Sequence, residues 1–213
     1  MFGRPWSGIR QTVVLAIGAW SMAARPVAAQ AASTPPHGVI ATRYGSATSS
    51  LLFVGYTVGP VMPMVALVQD PHSDYREELA GVLRSQPLTG HLAVTYGVAA
   101  ARTTDAWYGQ LWLNPRATVG RMHGDVRLRL YFPFASAGLR ELTMNPASVV
   151  VDLSPRVAAG AVAVWATAPG SPPEFGAGPR LTYHIPNGSL TLDGVLGVTE
   201  WESEWRVGFY TTY

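Results

Sequence analysis

Nine polar side chains in the second half of the chain have the types and spacing to act together: Arg127, Arg129, Asp152, Arg180, His184, Asp193, Glu202, Glu204 and Arg206. Each falls on the polar face of a segment whose alternate positions are apolar, so one side of a pleated sheet would carry the whole set. Acids and Arg gathered on one enclosed face are expected to neutralise each other, because buried charges must be paired or hydrogen-bonded. The alternative chemistry is a narrow passage whose charged rings select solutes. His184, within reach of Asp193 or Glu202 on following strands, is the one candidate catalytic residue. A general-base His needs a nucleophile or water and an orienting carboxylate, and no Ser is spaced to join it. A packed, hydrogen-bonded His184 is therefore the first reading, and an enzyme is the minority one. His72, His91 and His123 share no ligand spacing, so no metal is expected. The absence of Cys removes disulfides, zinc–thiolate sites, iron–sulfur clusters and Cys nucleophiles together. No cofactor is expected.

The elements that must position these groups are strands. Asp125 to Ala135 alternates most clearly, with Val126, Leu128, Leu130, Phe132 and Phe134 on one side and Arg127, Arg129 and Tyr131 on the other. Similar alternation, bounded by turn signals such as Gly59-Pro60, Ser154-Pro155-Arg156 and Pro186-Asn187-Gly188, predicts ten strands. They span about 49–58, 61–69, 90–101, 106–117, 125–135, 146–153, 157–167, 178–185, 189–198 and 201–213. Gly38 to Gly45 is either an extra strand or an N-terminal arm. One segment breaks the period: Asp74 with Glu77 resembles a capping box, and Leu79, Val82 and Leu83 follow at helical spacing. A short helix is expected around 74–85.

Composition narrows the setting. Of 213 residues 13% are charged, about half the usual quarter. All fifteen basic residues are Arg, and Arg4, Arg10 and Arg25 lie in the first 31 positions with no acid. Beyond them twelve Arg face thirteen acids, which gives no electrostatic footprint for nucleic acid. Met1 to Arg10, the apolar Val13 to Trp20 and the small residues through Ala31 have the order of a secretory signal peptide, with cleavage expected near 29–31. The expected organisation is a leader at 1–31, an arm or extra strand at 32–48 and one β domain at 49–213.

Period two suits a soluble sandwich or a membrane barrel, which differ in which face looks outward. Aromatic residues at or near strand ends favour the barrel: Trp107, Phe132, Phe134, Tyr183, Trp201, Trp205, Phe209 and Tyr213. Such rings prefer the headgroup level and form girdles there. Several strands of 9–13 residues also match the ~9–11 needed to cross a bilayer at a tilt. The last residues, Arg206-Val207-Gly208-Phe209-Tyr210-Thr211-Thr212-Tyr213, resemble the C-terminal signal of bacterial outer-membrane β-barrel proteins. Arg206, Gly208 and Tyr213 fit that pattern, while Thr211 departs where a larger apolar residue is usual. The resemblance implies recognition of this strand by the barrel-assembly machinery.

The sequence thus predicts an all-β, closed, antiparallel up-and-down transmembrane barrel of about ten strands, with eight or twelve as alternatives. Its expected site is the outer membrane, among lipid, as a small channel or a structural or interaction barrel with a charged lumen. A small solute or an envelope protein is the expected partner. Two other readings stay open, a secreted soluble β-sandwich or lipocalin-like binding protein and an outer-membrane lipid-modifying enzyme.

Overall fold

A computed structural model describes residues 38–47, 49–70, 72–104, 106–134, 141–167 and 170–213. The leader expected at 1–31 and most of the arm at 32–48 lie outside the described residues. The chain forms twelve strands: β1 (Gly38–Gly45), β2 (Ser50–Tyr56), β3 (Met62–Gln69), β4 (Arg76–Pro87), β5 (Leu92–Thr103), β6 (Trp107–Val119), β7 (Met122–Pro133), β8 (Glu141–Asp152), β9 (Val157–Thr167), β10 (Glu174–Ile185), β11 (Gly188–Gly197) and β12 (Glu204–Thr212). Each pairs antiparallel with its sequence neighbours, and β1 pairs with β12 from Val39↔Thr212 to Gly45↔Arg206. The sheet closes on itself, which removes the free edges that hydrocarbon would not tolerate.

Twelve strands replace the expected ten, and the two additions have different causes. Gly38–Gly45, short enough to pass for an arm, is β1 and supplies the seam with β12. Arg76–Pro87, expected as a helix, is β4. Leu79 and Leu83 are buried in the barrel while Val82 faces out, so the helical spacing was a coincidence of period two. Glu77, read as a capping residue, lies buried and accepts hydrogen bonds from Gln110 and Tyr75. Pairing with β3 and β5 along nearly the whole strand outweighs a short helix, which is marginal by itself.

One end of the barrel carries Tyr213, the start of β1 and the connections 57–61, 88–91, 120–121, 153–156 and 186–187. Two of these are two-residue turns whose left-handed backbone falls on Gly120 (φ 60°) and Asn187 (φ 62°), residue types that tolerate it. The other end carries 46–49, 70–75, 104–106, 134–140, 168–173 and 198–203, and the longest connections are here. These are called the terminal end and the loop end.

The faces are those of an inverted barrel. Leu52, Val65, Val82, Val98, Leu111, Leu113, Val149, Leu181, Leu192, Leu196 and Val207 are all exposed on the exterior. The interior holds Val39, Phe53, Met64, Ala66, Val68, Leu79, Leu83, Ala99, Ala101 and Trp112 from β1–β6. A smaller cluster of Val162, Val164, Val195 and Trp201 occupies the opposite wall. The core of this molecule is its lumen, and the closed barrel with its apolar exterior does not favour a soluble sandwich.

Candidate functional site

The register carries charge into the lumen chiefly from one side. Asp125, Arg127 and Arg129 alternate along β7, Arg180, Thr182 and His184 along β10, and Glu204, Arg206, Gly208 and Tyr210 along β12. A register shift between Val126 and Leu128, facing another between Met144 and Ala147 beside Pro146, bends the wall beside Arg127. Bulges of this kind re-aim a side chain. Arg127 is left half-exposed inside, 3.5 Å from Asp125.

Most of these charges are paired. Arg180 and Asp193 lie opposite each other on β10 and β11 and share two hydrogen bonds, Nε to Oδ1 at 2.6 Å and Nη2 to Oδ2 at 2.7 Å. Arg206, 1% exposed, donates to Glu204 two positions back on β12, and Trp201 Nε1 donates to the same carboxylate at 3.1 Å. His123 Nε2 sits 2.7 Å from Asp152 Oδ2, and His184 Nε2 lies 3.5 Å from Oδ1. His184 therefore meets Asp152, across β9, rather than Asp193 or Glu202. Among the described residues no Ser or Thr completes a nucleophile–base pair with it.

Three lumen arginines stand apart from this pairing, one of them Arg116, whose Nη2 donates to Ser85 Oγ at 3.4 Å. Arg129 lies over the indole of Trp112, 4.1 Å from the ring centroid, with no described carboxylate within ion-pair distance. Arg43 reaches one acceptor, the Ser49 carbonyl at 3.3 Å, while its Nε has no hydrogen-bond partner. Arg43 on β1 is nevertheless within electrostatic range of Arg127 and Arg129 on β7, half-way round the wall, and of Arg206 and Glu204. Adjoining them is a largely apolar wall that carries one buried acid, Glu77, within electrostatic range of Arg129. Phe53 and Trp112 have ring centroids 6.3 Å apart, Trp112 Nε1 donates to Gln110 Oε1 at 2.8 Å, and Gln110 donates to Glu77. The lumen thus has a guanidinium side and an apolar, aromatic side in direct contact at Arg129 and Trp112.

Of the nine residues singled out by spacing, eight lie on the interior face. Glu202 does not, because β12 starts at Glu204 and Glu202 is exposed in the preceding connection. Trp201 also departs from expectation: it is 8% exposed and turned inward beneath Arg206, not part of an exterior girdle. Its indole N–H finds an acceptor there that lipid would not offer. The other expected rings face out in two bands, with Trp107, Phe132, Phe134 and Trp205 towards the loop end and Tyr183, Phe209 and Tyr213 towards the terminal end. Spacing missed Arg43, Glu77, Gln110 and Trp112. Asp125 and His123 were legible, being on the same parity as Arg127.

No family model matches the chain, and no curated protein matches its sequence. Solved structures do match. A KdgM porin in complex with disordered oligogalacturonate aligns with TM-score 0.61 at 11% identity, over 83% of this chain and 98% of that one. A NanC porin aligns with TM-score 0.57 at 9% identity over the same shares. The Acinetobacter baumannii outer membrane protein Omp33 gives 0.50 at 11% identity, over 84% of this chain and 98% of its own. The chain has the fold of the outer-membrane porins. No helix among the described residues is long and apolar enough to cross a membrane.

Proposed function

We propose that this protein is an outer-membrane channel for small anionic solutes. The observation that carries the reading is two lumen arginines, Arg43 and Arg129, with no described carboxylate within ion-pair distance, inside a closed barrel whose exterior is apolar. Guanidinium groups in a confined, partly dehydrated lumen attract anions more strongly than they would in water. A similar porin holding oligogalacturonate, a polyanion, supports the reading from outside this chain. On it, residues 1–31 direct export, the strand ending in Arg206, Gly208 and Tyr213 is read by the barrel-assembly machinery, and lipid surrounds the exterior. The terminal end then faces the periplasm, as the short turns there require.

The test has two stages. Detergent-extracted outer membranes should yield the mature protein as a band whose gel mobility changes on heating. Planar bilayers holding the purified barrel should then show discrete current steps with a reversal potential displaced towards anions. A folded barrel that gives no steps, or steps favouring cations, would overturn the proposal.

A further inference from the structure

We infer that the lumen between Arg43 and Trp112 favours an anion carrying a flat apolar group, such as an aromatic carboxylate or sulfonate, over a strongly hydrated anion of equal charge. The inference rests on the channel reading above and adds the class of solute. It is carried by contact between the two sides of the lumen. A purely polar passage would place hydrogen-bonding groups all round Arg43 and Arg129. Instead the adjoining wall of β2–β6 is mostly Phe53, Met64, Leu79, Leu83 and Trp112, and its buried polar groups Glu77 and Gln110 are already hydrogen-bonded to each other, to Tyr75 and to Trp112, which leaves little for the hydroxyls of a hydrated solute.

The Arg129–Trp112 contact explains how such a solute would enter a packed lumen. In the structure the guanidinium covers the indole face, an attraction weaker than a charge-assisted bond to an oxyanion. An arriving anionic group gives Arg129, and the unpartnered Nε of Arg43, a better partner. The guanidinium then leaves the indole, and the solute's own ring takes the vacated face against Trp112, with Phe53 behind it at 6.3 Å. One event satisfies the charge and restores the aromatic contact. A polyhydroxylated anion satisfies the charge alone and leaves the indole face bare. An aromatic contact of this sort is equivalent to roughly a tenfold preference.

The experiment uses the mature full barrel in planar bilayers under gradients of potassium benzenesulfonate, methanesulfonate or gluconate, none of which crosses lipid by losing its charge near neutral pH. Benzenesulfonate is expected to permeate about tenfold better than gluconate and at least as well as the smaller methanesulfonate. Trp112→Leu, and independently Phe53→Leu should the first variant not fold, are expected to bring the benzenesulfonate-to-methanesulfonate ratio down severalfold. Permeabilities ordered by size alone in the unmodified protein, or a ratio indifferent to loss of the ring, would overturn the inference and leave an anion channel standing. Absence of current in every salt from protein with heat-modifiable mobility would instead remove the channel reading beneath it.

Discussion

Phe53 and Trp112 touch through the lumen, with ring centroids 6.3 Å apart, although their strands β2 and β6 stand four places apart round the wall. The contact cannot be made along the sheet surface, so it ties two parts of the cylinder together. Phe53 is 7% exposed and Trp112 6%. Phe53→Ala is expected to cost about 3–5 kcal/mol, the usual result of emptying a buried aromatic site. The midpoint of urea unfolding, followed by tryptophan fluorescence in detergent, measures it. A loss under ~1 kcal/mol would mean that the ring contact contributes little.

Arg180 and Asp193 provide a second test. Removing one member of a buried, doubly hydrogen-bonded pair strands the other charge, at about 3–5 kcal/mol, whereas replacing both with apolar groups is often near neutral. Asp193→Asn should therefore lower the unfolding midpoint far more than Arg180→Met with Asp193→Leu. Equal losses from the single and double changes would show that the pair supplies net stability rather than mutual neutralisation.

The polarity of the wall is tested by neighbours. Leu192 is half-exposed on the exterior, paired with Leu181 and Val207, while Thr191 one residue away faces the lumen. Leu192→Arg should destabilise the barrel in lipid vesicles by about 2–4 kcal/mol, the cost of a charge near the bilayer midplane. Thr191→Arg should cost less in stability and alter conductance instead. The reverse order in refolding titrations would place the exterior in water.

At the loop end, Asp70 accepts hydrogen bonds from the His72 backbone N–H at 2.8 Å and the Ser73 hydroxyl at 2.8 Å, which hold its carboxyl below the usual value. The His72 ring in turn reaches the Ser46 carbonyl at 2.7 Å, joining two connections. Because the folded-state value is depressed, the loop's extra stability is complete above the ordinary carboxylate range and is lost as pH falls through the folded value. Protection of the His72 amide, the intrinsic exchange rate divided by the observed rate at each pH, should fall over that acid range in the unmodified protein. Asp70→Asn should remove the dependence and leave barrel unfolding unchanged. A pH response that survives the substitution would assign it to another group.

Much of the fold could be read along the chain, because strand alternation is a property of residues two apart. Arg127, Arg129, Arg180 and Asp193 declared their common face that way, and Asp125 and His123 share the parity of their strand. The same local logic misread 74–85, where Leu79, Val82 and Leu83 satisfy helical spacing as well as β4 satisfies its own. It also placed Trp201 outside, since nothing local says that β12 begins three residues later.

What the sequence determined by itself was the sheet, its two faces and the sign of the charges on them. Tertiary structure decided the count of twelve, the seam between β1 and β12, and which interior groups meet. Phe53 reaches Trp112 and Arg43 comes within electrostatic range of Arg129 only because closure brings distant strands round one narrow space, while His184 finds Asp152 across the single intervening strand β9. Pairing across a lumen depends on strand number and stagger round the whole cylinder, and no window along the chain contains either quantity.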